Sequence, residues 1–214
     1  MIIEIFRTVS IWVIVLPFLA GVINYRNLNR DSKWMFYLVV AGLAPQILTS
    51  IINRSTPALN ISYNLYTPVE FVLMYAIFFN KYSNGINRKI VRVSAFCYWP
   101  IAVFLFWQKG ITTVFVNELV CINSVFYMIW ILLFLKEQFN AHDILIGKGN
   151  PFSWYLLAIL IYAPCSIIAF ALYHYIREKE NGALSNLWVI QSVCNILMYL
   201  LLMMGLFIRK QKMV

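Results

Sequence analysis

Long apolar runs separated by short polar connectors follow one another along the chain. A helix needs about 20 mainly apolar residues to cross the hydrocarbon core of a bilayer, and each run is close to that length. The pattern predicts an all-α, polytopic membrane helix bundle of about seven transmembrane helices that forms a single domain over residues 1–214. The predicted spans are residues 8–25, 34–52, 63–80, 90–107, 113–135, 152–175 and 187–208.

Two of the runs are interrupted, so six or eight spans are alternatives to seven. The segment Tyr66-Thr-Pro-Val-Glu70 interrupts the third run, and Tyr98-Trp-Pro100 interrupts the fourth. Proline removes a backbone donor and kinks a helix, although neighbouring helices often compensate for this in a membrane. We therefore keep both runs as helices.

The composition is that of a membrane protein. Hydrophobic residues make up 62% of the chain and charged residues 12%, and the mean hydropathy is +0.76. A typical soluble domain has roughly 25% charged and 45–50% apolar residues. So apolar a chain favours a lipid surrounding, and the bilayer is its first expected partner.

Lysine and arginine are distributed unevenly between the connectors. If the N-terminus is outside, twelve of the seventeen fall on the inner side and five on the outer side. Cytoplasmic loops are enriched in these residues, so we predict an N-out, C-in topology. The same distribution accounts for the net charge of +9 without a nucleic-acid partner.

The cysteines and histidines do not form a metal-binding pattern. The four cysteines, Cys97, Cys121, Cys165 and Cys194, all fall in predicted spans, where buried cysteine usually behaves as a small apolar residue. The two histidines, His142 and His174, are far from them in sequence. We expect no metal, no disulfide and no cofactor. Retinal is excluded as well, because residues 187–208 contain no lysine for a Schiff base.

Two carboxylates, Glu70 and Glu118, lie within the apolar runs. An acid at membrane depth costs several kcal/mol unless it has a partner, so such residues mark a ligand site, a relay or a specific helix contact. In the predicted topology both lie in the outer half of the bundle. We expect them to serve a common site.

Other polar residues line up with these acids. Tyr63, Tyr66 and Glu70 share one helix face, and the last run carries one continuous polar stripe. The pattern predicts a polar, aromatic-lined cavity open to the outer side, suited to a small amphipathic or cationic ligand. The alternative is a set of hydrogen bonds between helices with no ligand. The predicted ligand-binding residues are Glu70, Glu118, Tyr66, Gln191, Asn195, Tyr162, Asn123 and His174.

Three motifs suggest a family. They are Asn64-Leu-Tyr66-Thr-Pro-Val-Glu70-Phe, Asn150-Pro-Phe-Ser-Trp154 followed by Leu160-Ile-Tyr162, and Leu187-Trp-Val-Ile-Gln191 followed by Asn195. With them the chain resembles a family of uncharacterised small seven-helix integral membrane proteins of Bacteroidota. The resemblance implies a bacterial inner-membrane location, and recurring positions at Glu70, Glu118, Trp154 and Tyr162. Because members often accompany signalling genes, it also favours a sensor. Gln191 stands where many relatives would have histidine, which disfavours proton transfer at that position.

The expected function is that of a sensory or ligand-binding module that signals to a separate cytoplasmic partner. The ligand would be a periplasmic small molecule or a lipid headgroup. An enzyme is disfavoured, because the chain has no phosphate-binding glycine loop and no nucleophile with a suitably spaced histidine. The alternatives are a membrane effector that acts by oligomerisation or pore formation, in stress or phage defence, and a small transporter.

Overall fold

Helices make up nearly all of the described chain. The computed structural model describes residues 2–52, 56–141, 149–172 and 181–208, and within these ranges it contains no strand. The all-α prediction is thus confirmed for this part of the chain. The helices are α1 (Ile2–Trp12), α2 (Val15–Asn24), α3 (Arg30–Ile51), α4 (Pro57–Phe79), α5 (Gly85–Lys109), α6 (Asn117–Ala141), α7 (Pro151–Ala171) and α8 (Asn181–Phe207).

Six helical segments are long and apolar enough to cross a membrane, as in a multi-pass membrane protein. They are Glu4–Asn27, Arg30–Ile51, Gly85–Lys109, Asn117–Asn140, Pro151–Ala171 and Leu187–Phe207. The remaining long helix, α4, has 23 residues, a length of roughly 34 Å. Polar residues such as Asn64 and Glu70 lower its hydropathy. Because α4 packs against α3, α5 and α6, these residues have protein neighbours. A seventh span would be α4.

Large apolar side chains cover the outside of the bundle. Trp107 is 82% exposed and Phe96 is 79% exposed, both on α5. Soluble monomers rarely expose large contiguous apolar patches. Lipid tails are as apolar as these side chains, so a bilayer removes the cost of exposing them.

The first predicted span, residues 8–25, is not one continuous helix. A turn at Val13 and Ile14 separates α1 from α2. Pro17 has no backbone N–H and so cannot donate to the Val13 carbonyl four residues earlier. The amide of Leu16 donates to that carbonyl instead, at 3.0 Å, which tightens the backbone at this point. The proline therefore explains the break.

Asparagine side chains begin three of the helices. Asn29 accepts a hydrogen bond from the backbone amide of Ser32 at 2.7 Å, and Asn84 accepts one from the amide of Ile86 at 2.8 Å. Asn150 caps α7 in the same way. An N-cap of this kind stabilises a helix by about 1 kcal/mol. The asparagines in the polar connectors thus fix where α3, α5 and α7 start.

The start of α6 differs from the predicted boundary at residue 113. The backbone of Gly110 has φ +73°, which ends α5, and α6 begins only at Asn117. The loop over residues 111–116 is held by Asn64 of α4. Its Nδ2 donates to the carbonyls of Ile111 and Val114, each at 2.8 Å, and its Oδ1 accepts from the amide of Val116 at 3.0 Å.

The helices pack around one core. α7 packs most extensively against α8, α3 packs against α4, and α1 and α2 lie along α8. In the core, the ring of Phe71 stacks on that of Tyr98, with centroids 3.7 Å apart, and lies 5.3 Å from that of Trp130. These contacts join α4, α5 and α6.

Candidate functional site

A cavity of about 680 Å³ lies between the helices near one end of the bundle. Its walls come mainly from α1, α3, α4, α7 and α8. The α3 residues belong largely to the second half of that helix and the α4 residues to the first half. The cavity is therefore near the end of the bundle where α3 ends and α4 begins, here called the α3–α4 end. Small-molecule sites typically have volumes of about 300–1,000 Å³, so the cavity has room for a small ligand.

The polar face predicted for α4 points into this cavity. Tyr63, Tyr66 and Glu70 all line its wall. Their spacing of three and then four residues places them on one side of a helix, one above the other. The side chains therefore run from near the first turns of α4 to the middle of the helix.

The polar stripe predicted for the last helix points into the same cavity. All five of its members are wall residues: Trp188, Gln191, Ser192, Asn195 and Tyr199. They face the stripe of α4 across the cavity, with Pro45 and Gln46 of α3 completing the wall. Helical spacing on two helices far apart in sequence thus converges on one space.

Glu70 is the only acidic residue among the described residues of the cavity wall. Among the described wall residues there is no Lys, Arg, His or Asp. The side chain of Glu70 is half-buried. Within the described ranges, its carboxyl group accepts no hydrogen bond and forms no ion pair. A carboxylate in this position therefore lacks the partner that membrane depth normally requires.

Phenol groups share the cavity with this carboxyl group. Tyr66 of α4, Tyr162 of α7 and Tyr199 of α8 line the same cavity as Glu70. A hydroxyl can donate to a carboxylate or accept from a ligand donor. The predicted residues Glu70, Tyr66 and Tyr162 are thus brought together.

A chain of aromatic rings lies in the wall towards the α3–α4 end. The centroids of Tyr63 and Phe115 are 5.6 Å apart, those of Phe115 and Phe170 6.0 Å, and those of Phe170 and Trp188 5.8 Å, all edge to face. We call these four residues the aromatic rim. A cation over the face of such a ring gains about 0.5–2 kcal/mol.

Gln191 presents an acceptor to the cavity. Its side chain is 8% exposed, and its Nε2 donates to the Ser166 hydroxyl at 3.1 Å. No hydrogen bond from the described part of the chain reaches its Oε1. Gln46 of α3 lines the same cavity, and its buried Oε1 likewise accepts no hydrogen bond from the described part of the chain. Both groups, like the carboxylate of Glu70, are acceptors.

Asn195 lines the cavity and also forms hydrogen bonds between two helices. Its Nδ2 donates to the hydroxyl of Ser10 at 2.8 Å and to the Ser10 carbonyl at 3.2 Å. These bonds connect α8 to α1. The predicted residue therefore lines the cavity while holding two helices together.

Glu118 does not line the cavity. It lies in the first turn of α6 and forms an ion pair with Lys109, the last residue of α5. The prediction placed it inside a span that begins at residue 113, whereas α6 begins at Asn117. The two glutamates thus lie in different surroundings, with Glu70 facing the cavity and Glu118 joining two helix ends.

One further predicted residue, Asn123, is not at the cavity wall. The buried side chain of Asn123 donates from Nδ2 to the carbonyl of Thr67 at 3.0 Å, which connects α6 to α4. His174 lies outside the described residues. Thr67 itself lines the cavity, so Asn123 supports the wall from behind.

Polar contacts join the helices at the opposite end, where α4 ends and α5 begins. Glu137 of α6 accepts hydrogen bonds from the hydroxyl of Ser83, from its amide at 2.8 Å and from the amide of Asn84 at 2.9 Å. Lys81 and Asp31 form an ion pair at 2.5 Å. None of these residues lines the cavity.

Sequence reasoning missed Phe115 and Phe170 of the aromatic rim, and Ser10. Aromatic residues near the ends of apolar runs are the signal that could have indicated the rim. Within the described ranges, no group of three or more His, Cys, Asp or Glu side chains could hold a metal ion.

The chain matches no protein-family profile, no curated protein and no solved structure.

Proposed function

We propose that this chain is a ligand-binding module of sensory type in a bacterial inner membrane, and that its cavity binds a small amphipathic cation from the outer side. In the proposed N-out, C-in orientation, the α3–α4 end faces the periplasm. The single observation that carries the proposal is the Glu70 carboxyl group, which faces a cavity with no basic side chain among the described wall residues.

Charge favours a cation over other ligands. An ionised Glu70 makes the described wall negative, so an anionic ligand would be repelled there. A cation would supply the missing partner of the carboxylate, and a charge-assisted hydrogen bond contributes about 1.5–3 kcal/mol. The aromatic rim would favour the same ligand, because the faces of aromatic rings attract cations.

The apolar part of the wall favours a ligand with a hydrophobic body. Leu38, Val39 and Met198 line the cavity together with the aromatic rings. Burial of apolar surface contributes roughly 25 cal/mol per Å². A ligand with an ammonium group at one end and an apolar body at the other would match both parts of the wall.

Signalling would need a second protein. The connectors between the helices are too short to contain an output domain. A displacement of α8 on ligand binding would move the end of this helix at the opposite membrane face. A cytoplasmic partner that recognises the basic inner connectors would then transmit the signal.

The test is a binding measurement with phenethylamine, an aromatic primary amine, on protein in lipid nanodiscs. We expect the unmodified chain to bind phenethylamine and not 3-phenylpropionate, an anion of similar size. Glu70→Gln should weaken amine binding by roughly tenfold or more, since about 1.4 kcal/mol corresponds to tenfold. Glu118→Gln is the matched control, because it removes the other glutamate of the apolar runs, which lies outside the cavity.

Equal amine affinity for the unmodified chain and Glu70→Gln would contradict the proposal, as would preferential binding of the anion. Saturable uptake of the amine into sealed vesicles would instead indicate transport.

A further inference from the structure

Two cysteines of neighbouring helices meet beside the cavity wall. The Sγ atoms of Cys165 on α7 and Cys194 on α8 are 2.7 Å apart, and both thiols are free. A disulfide has an S–S distance of about 2.05 Å, so the two sulfurs need to approach by roughly 0.7 Å. The pairing was not expected from sequence, because spacing along the chain does not give the register between two helices.

The other two cysteines are separate from this pair. Cys97 is exposed on α5 and Cys121 is half-buried on α6, where its Sγ lies 3.9 Å from the carbonyl oxygen of Ile167. All four cysteines of the chain lie in the described ranges, and the only sulfur-to-sulfur contact among them is that of Cys165 with Cys194.

We propose that Cys165 and Cys194 are an oxidisable pair that forms a disulfide between α7 and α8. The oxidant is a low-molecular-weight disulfide that can enter the membrane. Cys165 is half-buried and Cys194 is 9% exposed, so Cys165 reacts first.

The reaction is a thiol–disulfide exchange in two steps. The Cys165 thiolate attacks one sulfur of the small disulfide, which releases one thiol and leaves a mixed disulfide. The Cys194 thiolate then attacks the Cys165 sulfur and releases the second thiol. The two protein protons end on the two released thiols, and two electrons pass from the protein to the small disulfide.

The disulfide fixes part of the cavity wall. Ser166 follows Cys165 directly, and Gln191 lies one helical turn before Cys194. The hydrogen bond from Gln191 Nε2 to Ser166 Oγ, 3.1 Å long, therefore lies next to the sulfur pair. Oxidation holds α7 and α8 in the arrangement that makes this bond, and reduction lets the two helices move relative to each other.

The test uses dithiodipyridine, a lipid-soluble disulfide that releases a coloured thiopyridone at each exchange. A background variant with Cys97→Ser and Cys121→Ser leaves only the pair. We expect this folded variant to release two thiopyridones per chain, to retain no label, and to lose the mass of two hydrogen atoms. A cross-linked peptide containing Cys165 and Cys194 should appear on digestion, and dithiothreitol should remove it.

Single variants of the pair supply the control. Adding Cys165→Ser or Cys194→Ser to the background leaves one thiol, which should keep a pyridylthio label and form no internal link. Retention of two labels without a cross-link in the background variant would overturn the proposal. A link from Cys165 or Cys194 to Cys97 or Cys121 in the unmodified chain would overturn it as well. None of these readouts depends on whether the cavity binds an amine.

Discussion

Lys109 and Glu118 form an ion pair that joins the last residue of α5 to the first turn of α6. Their side chains are partly exposed, and Glu118 lies at a helix N-terminus, where the helix dipole also favours a negative charge. The second acid of the apolar runs is thereby accounted for as a structural contact. Glu70 remains the acid that faces the cavity.

Glu118→Gln should lower stability only slightly. Partly exposed ion pairs contribute about 0–1 kcal/mol, and the amide of glutamine can still accept a hydrogen bond from Lys109. Thermal unfolding in detergent micelles is the measurement, with Lys109→Met and the double variant completing a cycle. A coupling energy well above about 1 kcal/mol between the two positions would contradict the assignment of a weak surface pair.

Asn64→Ala should destabilise the protein by about 2–4 kcal/mol, because it leaves the carbonyls of Ile111 and Val114 and the amide of Val116 without their buried partner. Asn64 is 1% exposed. Unfolding by titration with sodium dodecyl sulfate measures the loss.

Asn60→Ala is the matched control for this loop. Asn60 lies one turn earlier on α4 and contacts the same loop through longer bonds, 3.1 Å and 3.3 Å from its Nδ2 to the carbonyls of Thr113 and Thr112. These bonds are exposed, so we expect a loss below about 1 kcal/mol. Similar losses for the two variants would show that Asn64 does not hold the loop in the way described.

Helical periodicity was enough to predict the two polar helix faces of the site. Tyr63, Tyr66 and Glu70 on α4 face the cavity together, as does the stripe of α8. The direction of each side chain follows from its position along a helix, whichever helix lies opposite. Because polar groups in an apolar bundle avoid lipid, the stripes had to face inward.

Tertiary contacts decided what periodicity could not. The position of Glu118 depends on where α6 begins, and that depends on Asn64, which holds the preceding loop from a distant helix. The meeting of Cys165 with Cys194 depends on how far α8 is shifted along α7. Neither relationship has a local signal in the sequence.

Gly205→Ala should destabilise the bundle by about 1–3 kcal/mol through overpacking. A Cβ at this position would lie 2.3 Å from Cε1 of Tyr155. The ring cannot move freely, because Tyr155 is fully buried and its hydroxyl donates to the Ser32 hydroxyl at 2.9 Å.

Gly85→Ala is the matched control for Gly205→Ala. Thermal unfolding in detergent micelles measures the stability of both variants. Gly85 is the first residue of α5, and a Cβ added there would have no described atom of another residue within 4 Å beyond its chain neighbours and its own helix backbone. Alanine is favoured over glycine in a helix by about 1 kcal/mol, so Gly85→Ala should be neutral or stabilising. If Gly205→Ala were equally stabilising, the close approach of α8 to Tyr155 would be refuted.

The cavity should prefer a primary ammonium to a quaternary one. Three acceptors of the cavity wall, the Glu70 carboxyl group, Gln46 Oε1 and Gln191 Oε1, have no hydrogen bond from the described residues, so a ligand that brings N–H donors satisfies them. Phenethylamine should therefore bind more tightly than its N,N,N-trimethyl analogue, which has a similar charge but no donor. Gln191→Met keeps a side chain of similar length and removes the Oε1 acceptor, together with the Nε2 donor to Ser166. It should therefore narrow the difference in affinity between the two ligands by roughly tenfold. Isothermal titration of both ligands against both proteins measures this, and equal preference before and after the substitution would place Gln191 outside ligand recognition.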